Sequence, residues 1–180
     1  MADTKFGKVA EQRIRDWLDR PDDGYSMDRI PDQLSGFYMV SRNISDFHCY
    51  KYPYQYYIES KCTYADRFEF SQLRDRQRDG LLLKSAIPGS YGLVIVLYAT
   101  YKRAFIFRIQ DIAEFLVPET SLNDLNHKLF HQGDIISQLK IKSLNIKKID
   151  KWPIPYWEIQ TIPSRKQIPE YVGELPDFST

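Results

Sequence analysis

A strand–helix–strand unit predicted in the middle of the chain restricts the possible folds more than any other feature. Residues 55–62 (Q-Y-Y-I-E-S-K-C) and 93–99 (L-V-I-V-L-Y-A) have the composition of buried strands, and a helix that Ser71 can cap is predicted over 71–84. A crossover helix of this kind joins parallel neighbours in a sheet. The unit therefore predicts an α/β fold built on a sheet that is at least partly parallel.

The other predicted elements extend this unit on both sides. The strands before it can form an antiparallel meander with residues 55–62, so we expect a mixed β-sheet flanked by helices. In chain order these elements are an amphipathic helix over 6–19, a turn-rich stretch over 22–35, strands over 36–41 and 46–51, a strand over 103–109, a short helix over 111–116 and one more helix around 121–139.

The C-terminal part of the chain is rich in proline. Five of the ten prolines lie between Pro153 and Pro176, which favours an extended segment draped over a surface. With 180 residues, the sequence can form one domain with a substantial core but not two ordinary domains. We therefore expect a single domain in which a core over 1–118 carries a proline-rich C-terminal extension over 119–180.

Composition limits the functional classes. The net charge is only +1, so any binding of nucleic acid must come from positive charge concentrated locally. No apolar run reaches membrane-spanning length, so we expect no membrane partner. The sequence M-A-D-T-K-F has no signal-peptide pattern, and Cys49 and Cys62 are isolated cysteines of the kind found in reducing compartments. These features predict a cytoplasmic protein.

An acid and a base lie two residues apart in the predicted strand over 55–62. Alternation along a strand puts Glu59 and Lys61 on one face, and an antiparallel register can bring Asp46 of the preceding strand beside Glu59. Two carboxylates that close repel each other and favour a bound cation. The residues therefore predict a Mg²⁺ site formed by Asp46, Glu59 and the backbone carbonyl of Ser60, at which Mn²⁺ can substitute.

Lys61 and Gln77 complete this predicted site. Lys61 can orient or deprotonate a water that attacks a phosphate. Gln77 lies on the inner side of the helix predicted over 71–84, where a purely structural helix would prefer leucine. An E-x-K sequence is weak evidence by itself, because such a pair on an exposed strand is usually a cross-strand ion pair. Phosphodiester hydrolysis and a simple ion pair therefore both stay open at this point.

Several short segments resemble one nuclease superfamily. N-I-S-D-F (43–47) followed by I-E-S-K (58–61) resembles the PD-(D/E)xK signature, with Ser45 in place of the usual proline. Within that superfamily the sequence is most similar to RecU-type Holliday junction resolvases. G-K-V-A-E (7–11) resembles a G-x-x-x-E in their first helix, and residues 68–81 resemble their next helical region, with Arg-Gln in place of His-Gln.

The resemblance implies a restriction-endonuclease-like core and the activity of a Mg²⁺-dependent DNA endonuclease. The enzyme would resolve Holliday or other branched junctions in recombination and repair, in a bacterial or phage-infected cell. It implies metal ligation by Asp46 and Glu59, activation of water by Lys61, a supporting role for Glu11 near the metal, and positioning by Gln77. Because members of this family work as homodimers, it also implies two sites that nick two strands of DNA.

One departure from the family leaves the substrate open. The resolvases carry a projecting stalk before the E-x-K strand, whereas this chain has only the short, tyrosine-rich K-Y-P-Y-Q-Y (51–56) there. A sequence-specific restriction or repair endonuclease acting on duplex DNA is therefore one alternative. A non-catalytic DNA-binding recombination accessory protein with the same fold is another.

The expected DNA contacts are basic and aromatic side chains outside the catalytic residues. Lysine clusters and arginines can bind phosphates, and exposed tyrosines can stack on unpaired bases. Acidic residues alternate with arginines over 74–79, so an ordinary solvated helix face is equally possible for that group. The predicted contacts are Arg13, Arg74, Arg76, Arg78, Lys140, Lys142, Lys147, Lys148, Tyr52 and Tyr54.

Overall fold

A computed structural model describes residues 3–30, 43–116, 143–164 and 168–178. The helices are α1 (Asp3–Leu18), α2 (Asp75–Ser85) and α3 (Ile109–Leu116). The strands are β1 (Tyr25–Arg29), β2 (Phe47–Lys51), β3 (Tyr54–Thr63), β4 (Arg67–Glu69), β5 (Ser90–Tyr98), β6 (Arg103–Arg108), β7 (Ser143–Asn145), β8 (Trp157–Ile162) and β9 (Glu170–Val172). Within these ranges, no helix is both long and apolar enough to cross a membrane.

In the described residues, seven strands form one mixed sheet in the order β1-β2-β3-β5-β6-β8-β9, and β4 pairs with β7 in a separate ribbon. The pairing of β3 with β5 is parallel, with Tyr57 opposite Gly92 and Glu59 opposite Val94. The neighbouring pairs β1–β2, β2–β3 and β5–β6 are antiparallel. The structure thus confirms the mixed α/β architecture and the parallel strand–helix–strand unit predicted from the sequence.

Both faces of the sheet are covered, and β5 explains why. Leu93 and Ile95 pack into the core on the α1 side, whereas Val94 and Val96 pack into the core under α2 and α3. A strand whose side chains are apolar on both faces must be covered by other elements on both sides. The site residues of β3 therefore lie inside a three-layer structure, and their face decides which helix they meet.

The structure corrects the turn-rich assignment of residues 22–35, because β1 lies within it. Gly24 adopts a left-handed conformation with φ of 77°, and Tyr25 and Met27 then bury their side chains in the α1-side core. The strand predicted over 36–41 and the helix predicted around 121–139 lie outside the described residues.

Helix α2 begins at Asp75 rather than at Ser71. A short 3-10 turn over Phe70–Gln72 precedes it, and Leu73 is buried after that turn. Arg74 occupies the N-cap position of the helix. The shorter helix still places Gln77 in its first turn.

The described C-terminal residues contribute two strands to the main sheet. β8 pairs with β6, and β9 pairs with β8. The indole nitrogen of Trp17 donates a 2.8 Å hydrogen bond to the carbonyl of Gly173, and Tyr171 packs edge-on against the same tryptophan. This part of the chain is extended, but it forms strands of the sheet as well as surface coil.

We expect Gly92→Ala to destabilise the protein. A β-carbon at position 92 would lie 2.7 Å from the Leu81 carbonyl oxygen and 2.9 Å from Ile109 Cγ2, so α2 or α3 would have to move, at a cost of roughly 1–3 kcal/mol. Gly7→Ala is the control, because nothing in the described structure lies within 4 Å of that position in α1 and alanine gains up to about 1 kcal/mol over a helical glycine. Urea unfolding measures both free energies. Equal stability of Gly92→Ala and the wild type would contradict this packing.

Candidate active site

The ladder between β2 and β3 places two carboxylates side by side. Phe47 pairs with Ile58 in that ladder, and the backbone N–H of Asp46 donates a 3.0 Å hydrogen bond to the Ile58 carbonyl. Two residues further along β3, the N–H of Ser60 donates to Asp46 Oδ2 at 2.8 Å. The Asp46 side chain therefore continues the ladder beyond the end of β2, directly beside Glu59.

The carbonyl of Ser60 lies on the same edge of β3 as this contact. In an antiparallel ladder the N–H and C=O of one residue both point toward the same neighbouring strand. Since the Ser60 N–H meets Asp46, the Ser60 carbonyl also points to the side where β2 has ended. Its side chain faces the α1 layer, because it alternates with Glu59.

Glu59, Lys61 and Gln77 form a compact polar cluster on the α2 side of the sheet. The ammonium nitrogen of Lys61 lies 2.7 Å from Glu59 Oε1 and donates to Gln77 Oε1 at 3.3 Å. The amide nitrogen of Gln77 donates to Glu59 Oε1 at 2.5 Å. Each member contacts the other two, so Gln77 fixes the carboxylate and the ammonium relative to each other.

Two contacts fix helix α2 over this cluster. Gln77 Oε1 also accepts a 3.2 Å hydrogen bond from the backbone N–H of Arg74, which holds the side chain within the first turn. Gly80 lies so close to Ile44 that a β-carbon there would be 2.3 Å from Ile44 Cγ2. Since Ile44 is two residues before Asp46, this close packing holds α2 and the Asp46 segment together.

Burial controls the electrostatics of Glu59. Its side chain is 2% exposed, and desolvation raises the pKa of the carboxyl group to about 7, helped by the nearby charge of Asp46. Lys61 and Gln77 act in the opposite direction. Among the described residues, Glu59 Oε2 has no hydrogen-bond partner, although it is buried. A buried carboxylate oxygen that lacks a partner is costly and points to a ligand at that position.

The donor atoms suit a hard divalent cation. Asp46, Glu59 Oε2 and the Ser60 carbonyl are all oxygens, the ligands that Mg²⁺ and Mn²⁺ prefer. Among the described residues no group of three or more His, Cys, Asp or Glu side chains is positioned to hold a metal. Two carboxylates and one carbonyl would therefore leave the remaining positions to water and a ligand, which is the usual arrangement for Mg²⁺.

Glu11 has its partner on β1. It forms a 3.0 Å ion pair with Arg29, and Arg29 shares a face of β1 with Tyr25 and Met27, which pack toward α1. Glu59 faces the opposite, α2 side of the sheet. The structure therefore brings Asp46, Glu59, Lys61 and Gln77 together and pairs Glu11 with Arg29 of β1; the catalytic roles of all five stay predictions.

Several of the predicted DNA contacts are engaged within the protein. Arg13 is largely buried and pairs with Glu170 at 3.1 Å. Arg78 lies 3.0 Å from Asp75 and 2.7 Å from Asp79. These intramolecular partners reduce the charge that either arginine offers to DNA.

The other predicted DNA contacts differ in exposure. Lys147 is exposed and pairs with Asp66, and Tyr54 is half-buried against Tyr91, with ring centres 5.6 Å apart. Tyr52 is 82% exposed in the β2–β3 hairpin. Arg74, Arg76 and Lys148 are also exposed, whereas Lys140 and Lys142 lie outside the described residues.

A group that the sequence did not predict adjoins the site. His48 stacks on Tyr57, and Lys84 lies over the same ring. Two signals were present in the sequence. Tyr57 is two residues from Glu59 on the same strand face, and Lys84 is seven residues, or about two helical turns, from Gln77.

Comparisons with known proteins give a distant structural similarity. No family model matches the sequence, and no curated protein matches it. The fold is similar to that of Hjc, a Holliday junction resolvase from the archaeon Archaeoglobus fulgidus, with a TM-score of 0.42 and 13% sequence identity over 58% of this chain and 78% of that one.

We expect the stability of the metal-free protein to fall as pH rises from about 4.5 to about 7. The unfolded chain releases the Glu59 proton near the ordinary value of 4.5, whereas the folded protein keeps it up to about 7. The folded state is therefore favoured below this window, and the free energy of unfolding drops by at most about 1.4 kcal/mol per pH unit within it. Urea unfolding in EDTA at pH 5 and pH 8 measures the difference.

Two variants isolate the contribution of Glu59 to this pH dependence. Glu59→Gln cannot titrate and should lose much less stability between pH 5 and pH 8 than the wild type. Asp150→Asn, at an exposed position, should keep the wild-type dependence. Identical pH profiles of the wild type and Glu59→Gln would show that the buried carboxyl group titrates normally.

Proposed function

We propose that this protein is a Mg²⁺-dependent DNA endonuclease with a restriction-endonuclease-like core. The observation that carries the proposal is the cluster in which the buried Glu59 lies beside Asp46 and is held by Lys61 and Gln77. An ion pair kept only for stability would not need a second carboxylate next to a buried carboxylate oxygen without a partner. Two such carboxylates and an adjacent lysine suit the hydrolysis of a phosphodiester.

Each residue of the cluster has a distinct part in this chemistry. When bound, a divalent ion supplies positive charge that polarises the phosphate and lowers the pKa of a coordinated water. Asp46, Glu59 and the Ser60 carbonyl would hold it. Lys61 lies at the edge of the same carboxylate, where its ammonium group can orient the attacking water and offset charge that develops on the phosphate oxygens.

Gln77 acts through its neighbours. Its amide group accepts from Lys61 and donates to Glu59, so it sets the direction of the ammonium group and leaves Glu59 Oε2 available. Such preorganisation matters because small displacements of catalytic groups reduce rates strongly. Gln77 is therefore assigned as a positioning residue.

We further propose that the substrate is branched DNA, with a four-way junction as the first candidate, and that the protein acts as a homodimer. This part rests on the sequence resemblance to junction resolvases. A two-fold symmetric dimer presents two copies of one site, which suits a substrate in which two strands are cut.

Cleavage of matched substrates tests the proposal. A mobile four-way junction and a linear duplex of the same sequence are incubated with the purified protein, with and without Mg²⁺. Mg²⁺-dependent nicking of the junction in preference to the duplex supports the full proposal. Preferential cutting of the duplex would indicate a restriction or repair nuclease, and no cleavage of any DNA with Mg²⁺ or Mn²⁺ would refute the endonuclease.

We expect Asp46→Asn, Glu59→Gln and Lys61→Met each to reduce cleavage by a factor of 10² or more, because charge stabilisation and proton transfer at such sites each contribute roughly 10²–10⁴-fold. Lys8→Met, on the exposed surface of α1 at the other side of the sheet, is the control and should cleave at the wild-type rate. Single-turnover rates with excess protein measure the effect. Full activity of Lys61→Met would remove lysine from the mechanism.

A further inference from the structure

His48, Tyr57 and Lys84 form a second polar group on the face of the sheet that carries Glu59; we call it the lysine–aromatic cluster. His48 lies directly opposite Tyr57 in the β2–β3 ladder. It is two residues from Asp46 on β2, and Tyr57 is two residues from Glu59 on β3. Alternation therefore places the cluster on the same face as the two carboxylates, one step along both strands.

The three side chains are held in a fixed order. The His48 and Tyr57 rings stack with their centres 4.8 Å apart and their planes 23° apart. Lys84 Nζ lies 5.1 Å from the centre of the Tyr57 ring, which is cation–π distance. On the other side of Tyr57 its ladder partner is Gly92, whose lack of a side chain lets α2 approach and bring Lys84 over the ring.

Within the described part of the chain, Lys84 differs from most partly buried cations in having no carboxylate partner. Lys61, Lys51 and Arg108 each form an ion pair at 3.0 Å or less, whereas the described residues give Lys84 only its contact with Tyr57. His48 Nε2 is likewise buried without a hydrogen-bond partner. A positive charge and a nitrogen that both lack a partner suit an anion.

The distance to the carboxylates suits a neighbouring phosphate. Two residues along an antiparallel strand span about 7 Å, which corresponds to about two nucleotide steps, because the axial rise of a DNA strand is about 3.4 Å per nucleotide. Helix α2 runs past both groups, with Gln77 at the catalytic cluster and Lys84 two turns later. A DNA strand that runs alongside α2 would therefore meet both clusters.

We propose that the lysine–aromatic cluster binds a backbone phosphate of the DNA substrate about two nucleotides from the phosphodiester that is cut. Lys84 supplies the charge, and the His48–Tyr57 stack holds Lys84 over the sheet and offers the imidazole nitrogen to a phosphate oxygen. This inference rests on the proposed nuclease function, because it assigns the path of the same substrate. It explains why Lys84 is directed over Tyr57 rather than into solvent.

The salt dependence of DNA binding tests the inference separately from cleavage. A fluorescein-labelled four-way junction and a labelled duplex are titrated with full-length protein in EDTA, at several salt concentrations. Each phosphate contact that is lost reduces the slope of log Kobs against log salt by about 0.9. Lys84→Gln should show this reduced slope and bind several-fold more weakly at low salt, whereas Lys84→Arg should keep the wild-type slope.

The control is Lys8→Gln, which removes the same charge from the exposed surface of α1 and should bind like the wild type. Equal slopes for Lys84→Gln and the wild type would overturn the inference and leave the endonuclease intact. Loss of binding in both Lys84→Gln and Lys84→Arg would also overturn it, because the charge would then not be the cause. A wild type that neither binds nor cuts DNA would instead refute the proposed function itself.

Discussion

The parallel pairing of β3 with β5 is the constraint on which the rest of the structure depends. Parallel neighbours cannot be joined by a tight turn, so the chain between them must cross the sheet, and α2 lies within that crossover. Gly80 and Gly92 let the helix lie against Ile44 and against β5 at distances that exclude a side chain. Gln77 therefore reaches β3 from a rigid element, which makes the arrangement of the polar cluster a direct result of the topology.

The same packing buries a carboxyl group at a cost to the stability of the folded protein. Glu59 is almost completely isolated from water, and this burial raises the pKa of its carboxyl group to about 7. Lys61 and Gln77 offset only part of this cost. The exposed, bidentate pair of Arg103 with Glu158 shows the opposite design, with both ions accessible to solvent and fully paired. Only the first arrangement leaves a carboxylate oxygen for a ligand.

The sequence predicts the parts of the structure that depend on local pattern. Alternation along residues 55–62 is enough to place Glu59 and Lys61 on one face, and the apolar run of β5 requires layers on both sides. Local pattern does not predict the structure where tertiary packing determines which elements form. β1 is a five-residue edge strand surrounded by Asp, Pro and Gly, and it forms because Tyr25 and Met27 bury against α1. Similarly, only the assembled sheet shows that Arg29 forms an ion pair with Glu11 and that His48 stacks on Tyr57.

The packing of α1 depends on the last part of the described chain, because the C-terminal residues form part of the core that α1 contacts. Ile168, Tyr171, Leu175 and Phe178 belong to the same core as Ala10, Ile14, Trp17 and Leu18, and the Tyr25 hydroxyl accepts a hydrogen bond from the backbone of Leu175. Contacts between residues 150 positions apart are slow to form, since a long loop must close first. On the ribosome, α1 therefore has no complete binding surface until these residues have been synthesised, and the α1-side core is completed only then.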